Sequence, residues 1–529
     1  MSPRHLLLRA GMAVSRFAAF FSPARTLHAA RFARLYELQN LLSPVVSGAH
    51  LLLARGPNRH LLRVRPQATR PELGNLLVVA PTRGGKGLLA TSQLLTWPHS
   101  VVVNDIKGEL FAQTAGYRQS LGKVFVIDPT GIGHRFDPLV GRVSEAKLYA
   151  AAKHLLHEPN EGEGVVFTQR ATKMLTQLFL AGLVEQQRPG EDATVSLLPY
   201  VGQLLSLPLR QVAKRLERID PALATRFLDG EYTQTNFTDD RFLLSAWGTL
   251  TARLYPLLTA DVLRCLSGSD FTAGELMTAQ TPVTVYLRWP EPDLLALSPL
   301  VRLVWDTVIY ELISTYDKAG GVGCHPVLLL IDEAGRTGVP GLAEYATTVA
   351  GRGITLWLAI QSLSQLDGLY GKHKADTIRN NMDSQLYDRQ ASHETATYLE
   401  GRLGRRSDYA HSTTEHEGTQ TSQGQSEQGV PLLTAQAITQ LGDTELIGFH
   451  RHLPPFRATR MDWRAFSPLV DQRALAPPPL ASLPSLSQAL DAAPAAAPRQ
   501  PLASWHFDPQ LFRNWRRAGR DEDTNGNQP

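Results

Sequence analysis

Cysteine is almost absent from this chain of 529 residues, which contains only Cys265 and Cys324. Two thiols cannot build the disulfide framework of a secreted domain, so both are interpreted as small buried apolar side chains in a reducing compartment. Long hydrophobic runs are also lacking, because no segment reaches the roughly 18–20 uncharged apolar residues that cross a bilayer. The sequence therefore predicts no clear transmembrane helix and a protein that is either soluble or peripheral to a membrane.

Acidic residues are missing from the first 36 positions, where six arginines alternate with apolar residues. Three interpretations fit this pattern: an amphipathic helix on a membrane or partner, a mitochondrial transit peptide, or a solvated helix with one buried face. We predict that residues 1–70 form a basic N-terminal segment, peripheral or partner-binding. Over the whole chain the net charge is only +4, which permits contact with nucleic acid without requiring it.

Short runs of Val, Ile and Leu, each followed by polar or glycine residues, begin near Asn75. Such runs are typical of strands buried on both faces, and the helical stretches between them predict a parallel sheet of the α/β class. Helical periodicity dominates residues 141–270. We therefore predict an α/β domain over residues 71–140 and 271–465, interrupted by an all-α domain at 141–270. A chain of this length exceeds a single core.

Two regions have compositions typical of irregular structure. Residues 407–429 are rich in Ser, Thr, Gln and Gly with almost no apolar content, which predicts a mobile loop. Residues 466–529 contain an Ala/Pro-rich stretch and are predicted to be a disordered linker and C-terminal tail.

A glycine-rich segment, APTRGGKG, joins the predicted strand before residue 80 to a predicted helix after residue 87. Its backbone N–H groups would wrap around phosphates, and its lysine would reach the β and γ oxygens of a nucleoside triphosphate. The candidate nucleotide-binding residues are Pro81, Thr82, Arg83, Gly84, Gly85, Lys86, Gly87 and Leu88.

This loop departs from the usual P-loop at two positions. Ala80 replaces the first glycine, and Gly87 replaces the Ser or Thr whose hydroxyl usually binds Mg²⁺. Thr91 and Ser92 lie one helical turn further on but need not replace that hydroxyl.

A second apolar run ends in Asp332 and Glu333, as in a Walker B motif. We predict that Asp332 holds Mg²⁺ and that Glu333 is the general base that polarises the attacking water. Gln361 ends another apolar run and is predicted to orient that water. Arg352 is the candidate arginine finger that reaches a neighbouring subunit, with Arg379 as the alternative. The predicted cofactors are ATP and Mg²⁺.

These segments together resemble the TraG/TraD-like coupling proteins of type IV secretion and conjugation. The resemblance covers roughly residues 75–465 and includes the unusual glycine after Lys86. The matching segments are 80–87 (APTRGGKG), 105–110 (DIKGEL), 128–129 (DP), 134–139 (HRFDPL), 331–334 (IDEA), 361–366 (QSLSQL) and 370–371 (YG).

The resemblance implies a RecA-like motor with an inserted all-α domain, acting as a homo-hexamer in a bacterium. Such a ring would pass DNA, or DNA with a bound relaxase, to a type IV secretion channel, and its all-α domain would contact substrate. Lys86, Asp332 and Glu333 then take the roles given above, with Arg352 as finger and Gln361 as sensor. Candidate DNA contacts are Lys372, Lys374, Arg402, Arg405 and Arg406.

Members of this family usually begin with transmembrane helices, and here no such run is found. The basic first 36 residues are therefore predicted to make a peripheral contact at the cytoplasmic face of the inner membrane, unless a separate protein provides the anchor. Two other functions fit the same residues: an FtsK/HerA-like DNA pump outside conjugation, and a nucleotide-dependent platform that recruits effectors with little hydrolysis.

Overall fold

Burial on both faces of the sheet explains why the apolar runs become central strands. The computed structural model describes residues 28–43, 48–56, 60–68, 71–156, 164–186, 196–229, 241–415 and 421–484, all within one unit that ends at Leu490. In the strand Leu76–Val79, Leu77 and Val79 enter the core on one face of the sheet, whereas Leu76 and Val78 enter the core on the other. A strand buried on both faces needs no polar alternation, as its sequence predicted.

The strands, in chain order, are β1 Leu42–Ser43, β2 Leu51–Arg55, β3 Leu61–Val64, β4 Leu76–Val79, β5 Ser100–Asp105, β6 Lys123–Asp128, β7 Ile132–Gly133, β8 Val283–Arg288, β9 Val327–Ile331, β10 Ile354–Ile360, β11 Ser384–Tyr387, β12 Arg405–Glu415, β13 Thr421–Pro431, β14 Glu445–His450 and β15 Phe456–Thr459. All except β12 and β13 join one sheet of 13 described strands, in the order β1-β3-β2-β15-β14-β11-β4-β10-β9-β5-β8-β6-β7.

The α-helices are α1 Lys86–Thr96, α2 Glu109–Leu121, α3 Glu145–Leu156, α4 Gly164–Gln186, α5 Leu197–Leu205, α6 Leu209–Ile219, α7 Pro221–Phe227, α8 Arg241–Leu254, α9 Ala260–Cys265, α10 Glu275–Thr278, α11 Leu294–Ala319, α12 Ala334–Thr337, α13 Leu342–Thr348, α14 Leu363–Tyr370, α15 Lys372–Asn380, α16 His393–Leu403, α17 Ala435–Thr439 and α18 Ser467–Arg473. Short 3₁₀ helices lie at Tyr255–Leu257, Glu291–Asp293, Ala350–Arg352 and Trp463–Ala465.

The middle of the sheet is parallel, from β11 through β4, β10, β9, β5 and β8 to β6. Between β7 and β8 the described chain forms only helices, α3 to α10, apart from the 3₁₀ turn at Tyr255–Leu257. The predicted α/β fold with a helical insertion is thus confirmed, and the exact domain boundaries stay predictions. None of the helices within the described ranges combines the length and apolarity needed to cross a bilayer.

Antiparallel strands extend the sheet beyond its parallel centre. β14 and β15 follow β11 along the edge, and Thr459 of β15 pairs with Arg55 of β2. Strands β1 to β3 therefore join the main sheet, although their residues lie in the predicted N-terminal segment 1–70. Residues 1–27, which carry most of that segment's basic pattern, lie outside the described residues.

The prediction of a mobile loop at residues 407–429 was wrong, because most of this region forms the antiparallel strand pair β12–β13. Hydrogen bonds between strands are made by the main chain, so a hairpin can form without apolar side chains.

The predicted linker 466–529 contains one described helix, α18. The chain after it stays against the sheet edge, where Gly133 N donates to Ala481 O at 2.8 Å. Residues 485–529 lie outside the described residues.

Candidate active site

Three adjacent parallel strands end at the same edge of the sheet and carry most of the predicted site. In register, Ile360 of β10 lies beside Val79 of β4, and Leu358 lies beside Ile331 of β9. The carboxyl ends of parallel strands meet at one edge, where ligands bind in open α/β sheets. The structure therefore brings the glycine-rich loop, the Asp332–Glu333 pair and Gln361 together.

The glycine-rich loop after β4 makes a tight turn that leads directly into helix α1. Gly84 N donates to Pro81 O at 2.9 Å, while Arg83 and Gly85 have positive φ angles of 65° and 95°. Helix α1 starts at Lys86 without a side-chain cap, because its cap residue is Gly85. The first N–H groups of a helix have no intrahelical partner, so this uncapped end can bind an anion.

Lys86 and Glu333 form a buried ion pair, with Nζ 3.2 Å from Oε1. Gln361 Nε2 donates to the other oxygen of Glu333 at 3.0 Å, and Thr82 Oγ1 donates to Gln361 Oε1 at 3.3 Å. This chain of contacts links the loop to two separate strands. It places the predicted phosphate ligand, general base and water-orienting amide in direct contact.

The Asp332–Glu333 turn is strained and partly unsatisfied. Glu333 has φ 53° and ψ 44°, a left-handed conformation that is uncommon for residues other than glycine. Asp332 Oδ1 is buried and has no hydrogen-bond partner among the described residues. Burial, followed by the neighbouring Glu333 carboxylate, raises the pKa of Asp332 to about 6. A buried carboxylate oxygen without a partner has the chemistry that a hard divalent cation requires.

Asn104, which the sequence did not single out, fixes the main chain of Asp332. Its Nδ2 donates to Asp332 O and to Thr337 Oγ1, both at 2.9 Å. Its Oδ1 accepts from Trp289 Nε1 at 3.1 Å and from Trp305 Nε1 at 3.4 Å. The only signal in the sequence was a polar residue near the end of the apolar run of β5.

The two hydroxyls one turn after Gly87 are engaged elsewhere. Thr91 Oγ1 donates to Gln113 Oε1 at 2.9 Å, and Ser92 Oγ donates to Leu88 O at 2.6 Å. Both side chains are buried within α1 and its contact with α2. Both hydroxyls are thus engaged in hydrogen bonds within the protein.

The two candidate arginine fingers do not join this cluster. Arg352 precedes β10, at the opposite end of that strand from Gln361, and its Nε lies 2.8 Å from Asp317 Oδ1. Arg379 is held by Asp367, at 3.0 Å, and by Asp376. Within one chain, therefore, neither guanidinium contacts the glycine-rich loop.

The candidate DNA contacts are partly committed to other contacts. Arg402 donates to Gln385 and lies over the ring of Phe449, 4.0 Å from its centroid. Lys374 pairs with Glu344 at 3.3 Å on the surface. Arg405 and Arg406 begin β12 and are exposed.

Comparison with known proteins adds a family to this geometry. A family model described as "Type IV secretory system Conjugative DNA transfer" matches residues 56–474. The VirD4 protein of Agrobacterium fabrum is 30% identical over 418 residues, which cover 74% of this chain and 59% of the relative. The conjugal transfer protein TraG of Escherichia coli is 31% identical over 317 residues, covering 55% of this chain and 48% of the relative. The chain thus spans about three fifths of the length of this VirD4 protein and about half of the length of this TraG protein.

Solved structures support the same fold. The unbound conjugative coupling protein TrwB superposes with a TM-score of 0.60 at 16% identity, covering 83% of this chain and 94% of that one. TrwB in complex with ADP and Mg²⁺ has a TM-score of 0.59 at 17% identity, covering 87% and 97%. A further TrwB structure contains the non-hydrolysable ATP analogue ADPNP. At these identities the likeness shows a shared fold, which confirms the predicted RecA-like architecture.

Proposed function

The chain belongs to the type IV secretory system conjugative DNA transfer family, and from this membership we propose that it is an ATP-driven coupling protein. It recruits DNA, alone or with a bound relaxase, and translocates it to a type IV secretion channel. The observation that carries the ATPase part is the contact chain Thr82–Gln361–Glu333–Lys86 beside the unpartnered oxygen of Asp332. Family membership favours this function over a DNA pump outside conjugation or an effector-recruitment platform.

Lys86 is the residue that links binding to catalysis. A triphosphate held by the loop attracts the Lys86 ammonium away from the Glu333 carboxylate, which it contacts at 3.2 Å. Glu333 is then free to accept a proton from the attacking water, and Gln361 orients that water. The ion pair thus keeps the general base engaged until a triphosphate is bound.

Mg²⁺ fits this site through Asp332, whose buried oxygen has no other partner in the described structure. The ion would hold the phosphate oxygens and neutralise charge that develops on them. With Gly87 in place of a hydroxyl residue, Asp332 is the main protein ligand that we assign. The TrwB complexes with ADPNP and with ADP and Mg²⁺ support ATP and Mg²⁺ as the ligands of this chain.

The proposed assembly is a homo-hexamer at the cytoplasmic face of the bacterial inner membrane. Its partners would be DNA bound without sequence preference, a relaxase or secreted effectors, and components of the type IV secretion channel. The basic N-terminal segment would make a peripheral membrane contact. VirD4 and TraG relatives support the conjugative role.

Phosphate release with and without DNA, at several salt concentrations, tests this function. We expect DNA to stimulate hydrolysis, with the stimulation falling as salt rises because phosphate contacts release counterions. Lys86→Ala should abolish hydrolysis and ATP binding, while Glu333→Gln should abolish hydrolysis alone. Lys123→Ala, an exposed lysine at the start of β6, is the matched control and should behave as wild type. Hydrolysis that DNA never stimulates would contradict translocation and favour the recruitment platform.

A further inference from the structure

A cavity adjoins the glycine-rich loop on the side away from Glu333. It has a volume of about 450 Å³ and lies between residues 81–84 of the loop and a wall formed by Asp388, Arg389, Asp443 and Arg460. Strand β4, which carries the loop, lies between β10 and β11. Gln361 and Glu333 are on the β10 and β9 side, whereas Asp388 directly follows β11.

This arrangement gives a bound nucleotide a direction. Its terminal phosphate belongs with Lys86 and Glu333, and open space beside residues 81–84 lets the rest of the molecule extend from the loop towards the β11 side. The cavity beside residues 81–84 provides space on that side for the nucleoside. The nucleoside half of a nucleotide would therefore contact Asp388 and its neighbours.

Asp388 is a buried acceptor at this cavity. Its main-chain N donates to Val79 O at 3.1 Å, which fixes it beside the start of the loop. The residue is only 6% exposed, and its Oδ1 has no hydrogen-bond partner among the described residues. Burial raises the pKa of Asp388 to about 7, with the charge of Arg460 acting in the opposite direction. A buried acceptor without a donor is costly, and a ligand hydroxyl would satisfy it.

Arg460 forms the adjoining part of the wall and is fixed against the loop itself. Its guanidinium donates to Gly84 O, and a Cβ on Gly85 would lie only 2.4 Å from Arg460 Cδ. Gly85 therefore allows the arginine to approach the loop. This positive charge therefore lies beside Gly84 and Gly85, where the part of the ligand nearer to the nucleoside would pass.

We propose that this cavity is a ribose-recognising subsite, in which the Asp388 carboxyl accepts a hydrogen bond from a ribose hydroxyl while Arg460 holds the loop and faces the adjoining phosphate. The inference rests on the proposed nucleotide function and adds the part of the ligand that Asp388 recognises. Carboxylates accept from ribose hydroxyls in other α/β nucleotide sites for the same reason of donor and acceptor chemistry.

Calorimetric titration of the full chain with ATP, 2′,3′-dideoxy-ATP and inorganic tripolyphosphate tests this subsite. Wild type should bind ATP roughly ten- to a hundredfold more tightly than the dideoxy analogue, the range expected for a hydrogen bond to a carboxylate. Asp388→Ala should lose this preference and bind tripolyphosphate as wild type does. Asp471→Ala removes an exposed carboxylate on α18, outside this cavity, and should keep the preference.

The outcomes separate this proposal from the proposed function. Equal affinity of wild type for ATP and its dideoxy analogue overturns the ribose subsite, and this result needs no variant to fold. An Asp388→Ala protein that retains the preference, with a thermal unfolding midpoint like that of wild type, overturns it as well. In both cases the proposed ATPase survives. Failure of wild type to bind either ATP or tripolyphosphate overturns both proposals.

Discussion

Gly87 is the residue at which this loop differs chemically from the usual P-loop, and the structure leaves room to change it. It is exposed in the first turn of α1, and a Cβ built there meets no atom within 4 Å. A serine would therefore fit without strain. Its hydroxyl would stand where P-loops usually offer a ligand to Mg²⁺.

We expect Gly87→Ser to bind nucleotide at lower Mg²⁺ concentration than wild type. One added ligand is worth on the order of 1 kcal/mol, or roughly fivefold in affinity. A fluorescent ATP analogue titrated at a series of Mg²⁺ concentrations measures the shift. Gly87→Ala is the control, since it also replaces the glycine with a residue of higher helix propensity but adds no hydroxyl. Identical Mg²⁺ dependence in the two variants would show that position 87 does not reach the ion.

Asp137 makes stability depend on pH in a predictable direction. Burial raises its pKa to about 6, although Leu139 N and Ser196 donate to it, whereas an unfolded Asp titrates near 3.9. Between these values the folded state binds the proton more tightly than the unfolded state. Its stabilising contribution is complete below about pH 4 and is lost as the pH rises through about 6.

Asp137→Asn should therefore be more stable than wild type at pH 8, by about 2–3 kcal/mol. The advantage should shrink towards pH 4, because Asn resembles the neutral carboxyl and can still accept from Leu139 N, at 2.9 Å in wild type. Urea unfolding of both proteins at pH 4.5, 6 and 8 measures the difference. The same difference at every pH would contradict a raised pKa.

Sequence patterns identified some of these residues and could not identify others. Asp332 and Gln361 each directly follow an apolar run, so their place at a strand end could be predicted, and Lys86 could be predicted from the glycine-rich loop that precedes it. Asn104 and Asp388 also stand at strand ends, but their roles depend on which strands are neighbours. Strand order is set by contacts between residues distant in sequence, such as Tyr387 beside Val79, and a single sequence does not encode them as a local pattern.

Among the elements, the long helix α11 contacts the helical insertion through polar side chains. Arg142, at the entry to the insertion, is buried and places Nη2 2.7 Å from Asp306 Oδ2 on α11. The same nitrogen donates to Thr307 Oγ1 at 2.8 Å, and His154 of α3 lies 3.4 Å from the other oxygen of Asp306. One carboxylate therefore joins two helices to the entry segment.

Asp306→Ala should destabilise the protein by about 3–5 kcal/mol, because it leaves the Arg142 charge buried without its partner. Thermal or urea unfolding measures this loss. Asp317→Ala on the same helix is the matched control: its carboxylate pairs with Arg352 at the surface, so it should change stability little. Equal effects of the two substitutions would contradict a special role for Asp306.

The sequence predicted correctly the strands that are buried on both faces. It did not predict the strands whose pairing depends on main-chain hydrogen bonds. β9 is apolar throughout, β10 is apolar except for Thr355, and both are entirely buried, so composition alone indicated central strands. β12 and β13 have almost no apolar residues, and their pairing comes from a main-chain ladder that composition does not report. β14 and β15 extend the sheet through long-range pairing with β11 and β2, which periodicity likewise could not indicate.

At the scale of the whole molecule, Arg352 lies at the amino ends of the parallel strands, whereas the glycine-rich loop lies at their carboxyl ends. Gly353 and the seven residues of β10 separate Arg352 from Gln361, and β10 alone spans roughly 23 Å at about 3.3 Å per residue. An arginine side chain cannot cover that distance within one chain. If Arg352 stabilises the transition state, it must do so at the site of a neighbouring subunit, across a head-to-tail interface.

Mixing two inactive variants tests this arrangement. Lys86→Ala removes the phosphate ligand and Arg352→Ala removes the finger, so each protein alone should hydrolyse little ATP. After subunit exchange in an equal mixture, roughly a quarter of the interfaces join an intact Lys86 to a neighbour's intact Arg352, and about that fraction of wild-type hydrolysis should return. As a control, mixing Lys86→Ala with the double variant Lys86→Ala/Arg352→Ala should restore no hydrolysis, because no subunit then has an intact Lys86. If exchanged mixtures stay inactive, Arg352 does not act between subunits, and the Asp317–Arg352 ion pair is structural.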